Sequence, residues 1–341
     1  MIKPWIFEFF ANPDGPDGDP APRAVADYFR RYLDLWASAE ALGFEGIFFS
    51  EHHFGAAFSP SPNLLIANMA TRTRTLRLGV MGMVLPCYEP WRVCEEIAML
   101  DHLTGGRLEI GTATGIPQEL AKVGMPFEEA TARSLEALQI LDAALSQPVI
   151  SHHGRFWHFD DLHLVPRPLQ QPAPPKWTTV ISEESARRSA RRGAKICTGF
   201  HPLSRVRAIF DAYRDEASRL DHPAAPEQLA LRRNVTVDTV QARATAKSEA
   251  RERALRSGLA ADPRVRPLDL PETSHTFSVG DEEFIAGTPE SVAEQIIEQC
   301  RCVGAGHFLA IFDRHDAPEQ VLRTYEIFGQ QVIPAMRAFA M

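Results

Sequence analysis

Ser50-Glu51-His52-His53 follows directly on the apolar run Ile47-Phe48-Phe49. That run, behind Gly46, reads as a strand buried on both faces. A carboxylate and two imidazoles therefore stand where a buried strand ends, which is where parallel α/β folds assemble their chemistry. Such a cluster suits metal ligation, general acid/base work, or polar orientation of a bound cofactor. The structural alternative is a capped loop with exposed histidines. A second stretch, Gly105-Gly106-Arg107-Leu108-Glu109-Ile110-Gly111-Thr112-Ala113-Thr114-Gly115, imitates a nucleotide fingerprint. It fails as one because its glycines flank a strand instead of lying between strand and helix. What remains is a strand ending in small residues, which lets a flat or phosphorylated ligand approach the backbone. Ser182, with Ser185 three residues on, opens a helix and is either an ordinary cap or part of a phosphate site.

Other clusters have plainer readings. Arg187, Arg188, Arg191 and Arg192 spread over a solvated helix face. His152, His153, His158 and His163 are dense, and His153 and His163 are placed to share a hairpin face, but no carboxylate or cysteine pattern supports a closed metal site. Cys87, beside Pro86, reads as a small apolar filler.

The 341-residue chain has a formal charge of -8, which argues against a nucleic-acid or anionic-membrane surface. No apolar run reaches membrane-spanning length, and residues 1–10 read as a strand and not a signal peptide. Five cysteines without zinc-type spacing fit a reduced, cytoplasmic protein.

The positioning elements alternate. Strands are expected at 4–10, 47–49, 76–86, 107–113, 177–181, 194–198, 229–237 and 307–312. Helices are expected at 24–42, 63–73, 90–103, 130–145, 183–192, 202–220, 240–255, 289–302 and 318–339. Residues 147–176 break the rhythm as an inserted hairpin after the fourth helix, with a stiff proline-rich return. Residues 256–286 read as a mobile lid or a disordered loop between the seventh and eighth strands, their apolar residues (Leu259, Val265, Leu268, Leu270, Phe277) too scattered for the core. Eight strand-then-helix units predict a (β/α)₈ TIM barrel, one domain over 1–341, with a doubly wound open sheet as the competing architecture.

The chain resembles the bacterial luciferase-like, flavin-dependent monooxygenases, most of all the luciferase α-type chain. The resemblance is carried by Gly43–Phe54 with Glu51-His52-His53, by 75–86, and by Leu100-Asp101-His102-Leu103-Thr104-Gly105-Gly106-Arg107. The proline-rich return before Trp177 and the Ser182 helix start complete it. It implies that reduced FMN from a separate flavin reductase binds at the strand C-termini and reacts with O2 through a C4a-hydroperoxide. The substrate would be an aldehyde or another small apolar compound, met by Phe7, Phe9, Phe10, Phe49, Phe54 and Phe58. The family's catalytic histidine falls on His52, flanked by Glu51 and His53. A non-proline cis peptide is implied at Met81-Gly82, under the flavin. Where the α-type chain has Cys-Arg this one has Ala113-Thr114, so Arg133, Ser182 and Ser185 become the phosphate candidates. The other readings are an F420-dependent oxidoreductase on the same barrel and a non-catalytic flavin-binding subunit. A homodimer is the expected assembly.

Overall fold

The computed structural model of the protein describes residues 1–338 apart from 16, 56, 261, 263 and 266–275. Its strands are β1 (Lys3–Glu8), β2 (Gly46–Phe49), β3 (Arg77–Val84), β4 (Leu108–Ala113), β5 (Val149–His153), β6 (His158–His163), β7 (Lys176–Thr179), β8 (Lys195–Thr198), β9 (Leu229–Val237), β10 (Phe284–Gly287) and β11 (His307–Ile311). Hydrogen bonding runs in the order β1-β2-β3-β4-β7-β8-β9-β11 and returns to β1, so eight strands close a barrel. The open-sheet alternative is thereby set aside. Parallel pairing buries strands on both faces, which is why these segments are continuous apolar runs.

Around the strands lie α1 (Pro22–Ala41), α2 (Pro62–Arg72), α3 (Pro90–Thr104), α4 (Pro117–Lys122), α5 (Phe127–Ser146), α6 (Glu183–Arg191), α7 (Leu203–Arg219), α8 (Gln241–Leu259), α9 (Pro289–Val303), α10 (Pro318–Ile327) and α11 (Ile333–Ala338). The expected terminal helix over 318–339 is interrupted by a π turn at Phe328–Val332. Pro334 lacks the N–H that an unbroken α-helix needs one turn back, so the backbone widens there.

Two compact units are distinguished. In the unit of Phe9–Val25 and Phe48–Thr178, a polar-aromatic layer lies among β2, β3, β4 and β7. Trp177 Nε1 donates to Glu109 Oε2 at 2.6 Å, Arg77 Nε donates to Glu109 Oε1, and Phe48 meets Trp177 edge-on at 5.4 Å. Gly79 makes room for this layer, since a Cβ there would lie 2.5 Å from the Phe48 ring. At the start of β4, Arg107 donates to the carbonyls of Ala70, Thr73, Leu76 and Thr104. The buried Asp101 accepts both the backbone N–H and the side-chain amide of Gln170 at 2.7 Å. The Leu100–Arg107 block is thus a clamp on helix and strand ends. Gly105, left-handed at φ 64°, turns the chain out of α3.

The inserted hairpin is present as antiparallel β5–β6. Its register sets His163 opposite Val149 and His153 opposite His158, so His153 and His163 stand at opposite ends and do not pair. His153 instead meets Asp160, and His152 meets Glu136. Among the described residues no group of three or more His, Cys, Asp or Glu is arranged to hold a metal.

The lid expected over residues 256–286 falls in the unit of Met1–Glu8, Ala26–Ile47 and Thr179–Met341, and in part on residues that are not described. Residues 261, 263 and 266–275 of that segment lie outside the described residues. The rest is packed structure: α8 continues to Leu259, and β10 adds parallel to β9 beyond the stretch that β8 covers. The turn before β10 carries Glu283, fully buried against the fully buried Arg233 at 3.0 Å. A buried ion pair writes charged letters into a core element, which is why this stretch imitated a loop. Phe277 is also core, 4% exposed and stacked on Phe200 at 5.1 Å. Phe277→Ala should therefore lower unfolding free energy by about 3 kcal/mol. Denaturant unfolding checks this, and a loss near zero would return Phe277 to a surface loop.

Candidate active site

β2 is buried along its whole length and delivers Ser50 and Glu51 into the interior, 2% and 4% exposed. Glu51 Oε2 accepts the backbone N–H of Val84, the last residue of β3, at 3.2 Å. Its Oε1 pairs with His53 Nε2 at 3.1 Å. That hydrogen bond raises the His53 pKa above its ordinary value, burial opposes the rise, and the charges of Glu51 and Glu119 add to it.

His52 turns the other way, to Glu119. Nδ1 lies 3.0 Å from Glu119 Oε1. A carboxylate only accepts, so this contact puts a proton on Nδ1 and leaves Nε2 as the working nitrogen. Among the described residues Nε2 has no hydrogen-bond partner. The ring stacks on Phe9 at 5.6 Å and 20°. Phe9 is fixed in turn, because Ser59 Oγ donates to its carbonyl and Phe58 N–H donates to that of Phe10. Glu119 is a partner that sequence reasoning missed, 67 residues from His52 on the short α4. The available signal was Pro117 opening a helix two residues before an acid.

The Met81-Gly82 peptide bond is cis, as the resemblance implied. There the β3–β4 register shifts between Val80 and Met83. A Cβ on Gly82 would lie 2.6 Å from the Thr112 carbonyl carbon and 3.0 Å from Ala113 N, so only glycine allows this approach. Ala113 and Thr114 follow, the latter donating weakly to Ser134 Oγ at 3.4 Å. The hydroxyls of Ser50 and Thr178, at the ends of β2 and β7, are buried with no protein partner. Buried polar atoms need partners, and a heteroatom-rich flat ligand supplies them, so the residues present fit a flavin.

A cavity of about 150 Å³ is lined by His53, Phe54, Val84, Cys87, Ile116 and Glu119 among others. Cys87 is exposed, not the expected core filler. Its thiol pKa is raised, first by burial of the sulfur and then by Glu51 and Glu119. Of the phenylalanines expected to line the site, Phe7, Phe10 and Phe49 are buried and Phe54 is 48% exposed.

The phosphate candidates already have partners. Arg133 pairs with Glu129 at 2.9 Å and lies over the Phe156 ring at 4.7 Å. In the other unit, Ser182 and Ser185 form a capping box at the start of α6. The ordinary-cap reading of these serines describes what their hydroxyls do.

The family model for luciferase-like monooxygenases matches residues 6–307. The chain belongs to the luciferase-like monooxygenase family. It is 25% identical to the alkanal monooxygenase alpha chain of Photobacterium leiognathi, over 93% of this chain and 96% of that one. It is 29% identical to the oxygenase component of the flavin-dependent trigonelline monooxygenase of Acinetobacter baylyi, over 61% of this chain and 59% of that one. Several other curated relatives are likewise matched over only about half of their length. In fold, this luciferase-like chain is similar to the oxygenating constituent of 3,6-diketocamphane monooxygenase of Pseudomonas putida, solved with FMN. That likeness has a TM-score of 0.76 at 20% identity and covers 98% of each chain. The coenzyme F420-dependent tetrahydromethanopterin reductase of Methanopyrus kandleri shares the fold too, with TM-score 0.70 at 16% identity over 98% of this chain and 99% of that one.

The Glu51–His53 pair has a measurable signature. Because the native His53 pKa is raised, its stabilisation is fully present below about 6.5, the ordinary histidine value. It is lost as pH rises through the higher native value. Wild-type Tm should fall across that window relative to Glu51→Gln, whose amide removes the charge. Parallel Tm–pH curves for the two proteins would mean that Glu51 does not hold a charged imidazole.

Proposed function

We propose that this chain is the oxygenase of a two-component system. It takes reduced FMN from a separate flavin reductase and, with O2, oxygenates an aldehyde-like or other small apolar substrate. One observation carries the reading: His52 stands at a buried strand end with Nδ1 held by Glu119, its face held by Phe9, and Nε2 open. That is how a proton-handling imidazole is presented to a reacting atom.

Reduced FMN would supply the electrons that activate O2; the chain binds, orients and keeps water out. Met81-Gly82, Ala113 and Thr114 would hold the flavin ring, and the Ser50 and Thr178 hydroxyls would meet its polar groups. His52 Nε2 holds or passes a proton at the reacting oxygen. Glu51 orients the loop and favours the charged form of His53. Arg133, Ser182 and Ser185 are carried over from the sequence as phosphate candidates. Residues 1–341 would act as one domain, in a cytoplasmic homodimer; no helix among the described residues is long and apolar enough to cross a membrane.

His52→Ala should lower oxygenated product formed with reduced FMN and O2 by about 10²–10⁴-fold, the usual worth of a general acid or base. Flavin affinity should change far less. Equal losses of rate and affinity would make His52 a cofactor anchor. Anaerobic turnover with F420 and none with FMN would replace the oxygenase reading by hydride transfer, and turnover with neither would favour a non-catalytic subunit.

A further inference from the structure

β9 carries two consecutive buried arginines, Arg232 at 6% and Arg233 at 0% exposure. Neighbours on a strand face opposite sides. Arg233 faces α9 and is fully engaged: Nε donates to Gln299 Oε1 at 2.9 Å, Nη1 to Glu283 Oε2 at 3.0 Å, and Nη2 to the His201 carbonyl at 3.2 Å. Glu283 is saturated as well, accepting from Phe200 N–H and Asn234 Nδ2. One carboxylate thus serves one of two buried cations.

Arg232, on the other face, has neither a hydrogen-bond acceptor nor an ion-pair partner among the described residues, and its Nε is buried without a bond. Its guanidinium lies over Phe7 at 5.2 Å and Phe200 at 4.4 Å. These cation–π contacts recover only part of the cost of desolvating a charge. Gly199 makes the placement possible, since a Cβ there would lie 2.8 Å from Nε and 3.0 Å from Nη2. Cys197 on β8 does not balance the charge, because burial pushes its thiol up to about 12. Beside it, Thr198 Oγ1 is likewise buried with no partner. An arginine cannot shed its proton to escape such a position.

We propose that Arg232, with the Thr198 hydroxyl, is an oxyanion receptor, whose ion pair is completed by a carboxylate or phosphate that a ligand brings in. This rests on the reading of the chain as a ligand-binding oxygenase and deepens it. The ligand chemistry is that of an oxyanion, either a phosphate ester or the carboxylate end of an otherwise apolar body.

The test uses the full chain as wild type, Arg232→Met and Arg232→Lys, with FMN, riboflavin, inorganic phosphate and benzoate as probes. Affinity for at least one oxyanion probe should fall about 10²-fold in Arg232→Met, the scale for truncating one member of a buried charge pair. Arg232→Lys should retain part of it. Ligand-free Tm of Arg232→Met should not drop, because an uncompensated buried charge is removed. Loss of FMN with riboflavin unchanged identifies the phosphate; loss of benzoate with both flavins unchanged identifies a carboxylate substrate. If wild type binds no flavin yet phosphate or benzoate still depends on Arg232, the flavoprotein reading fails and the receptor stands. If no oxyanion probe distinguishes wild type from Arg232→Met, the receptor is overturned, and a Tm drop in both variants would assign Arg232 a structural role.

Discussion

The Glu51 carboxylate is the constraint on which the site depends. A buried carboxylate must be hydrogen-bonded or paired, and Glu51 meets this with the Val84 N–H and the His53 imidazole. The first bond ties the end of β2 to the end of β3, immediately past the Met81-Gly82 peptide. The second fixes His53, so His52 between them is directed to Glu119. Beneath, the Phe48–Trp177–Glu109–Arg77 layer fills the space among four strands and gives the strand ends a rigid base.

Two motifs identify the family, and they do different work. Glu51-His52-His53 lies at the C-terminal end of a strand and presents side chains that can move protons. Leu100–Arg107 lies at the N-terminal end of β4, where Asp101 and Arg107 bind backbone and amide groups. Glu51-His52-His53 thus stands at the end where this fold ordinarily carries chemistry, and Leu100–Arg107 at the end where it ordinarily carries stability.

The barrel was legible because parallel strands are written as uninterrupted apolar runs, and the hairpin because its polarity alternates. His52 was legible from its place after such a run. Its partner was not, since Glu119 is distant in sequence and α4 is only six residues long. The segment before β10 misled because Glu283 and Arg233 satisfy each other inside the protein, and charge in a sequence ordinarily marks solvent. Arg232 was hidden because nothing in a sequence marks a buried arginine without a partner. Phe277 showed no helical or strand period; its burial comes from stacking on Phe200, a contact that only the folded chain supplies. Cys87 was misjudged in the opposite sense, because a residue beside a buried strand can still open onto a cavity.

The two imidazoles held by Glu51 and Glu119 are proposed to border the flavin. Side-chain histidine NMR during an FMN titration tests it directly, with His52→Ala and His53→Ala supplying the assignments. The His52 and His53 resonances should shift along the same saturation curve as flavin fluorescence, while His153 and His158 on the hairpin stay unmoved. FMN that saturates the protein and leaves both site imidazoles unperturbed would contradict it.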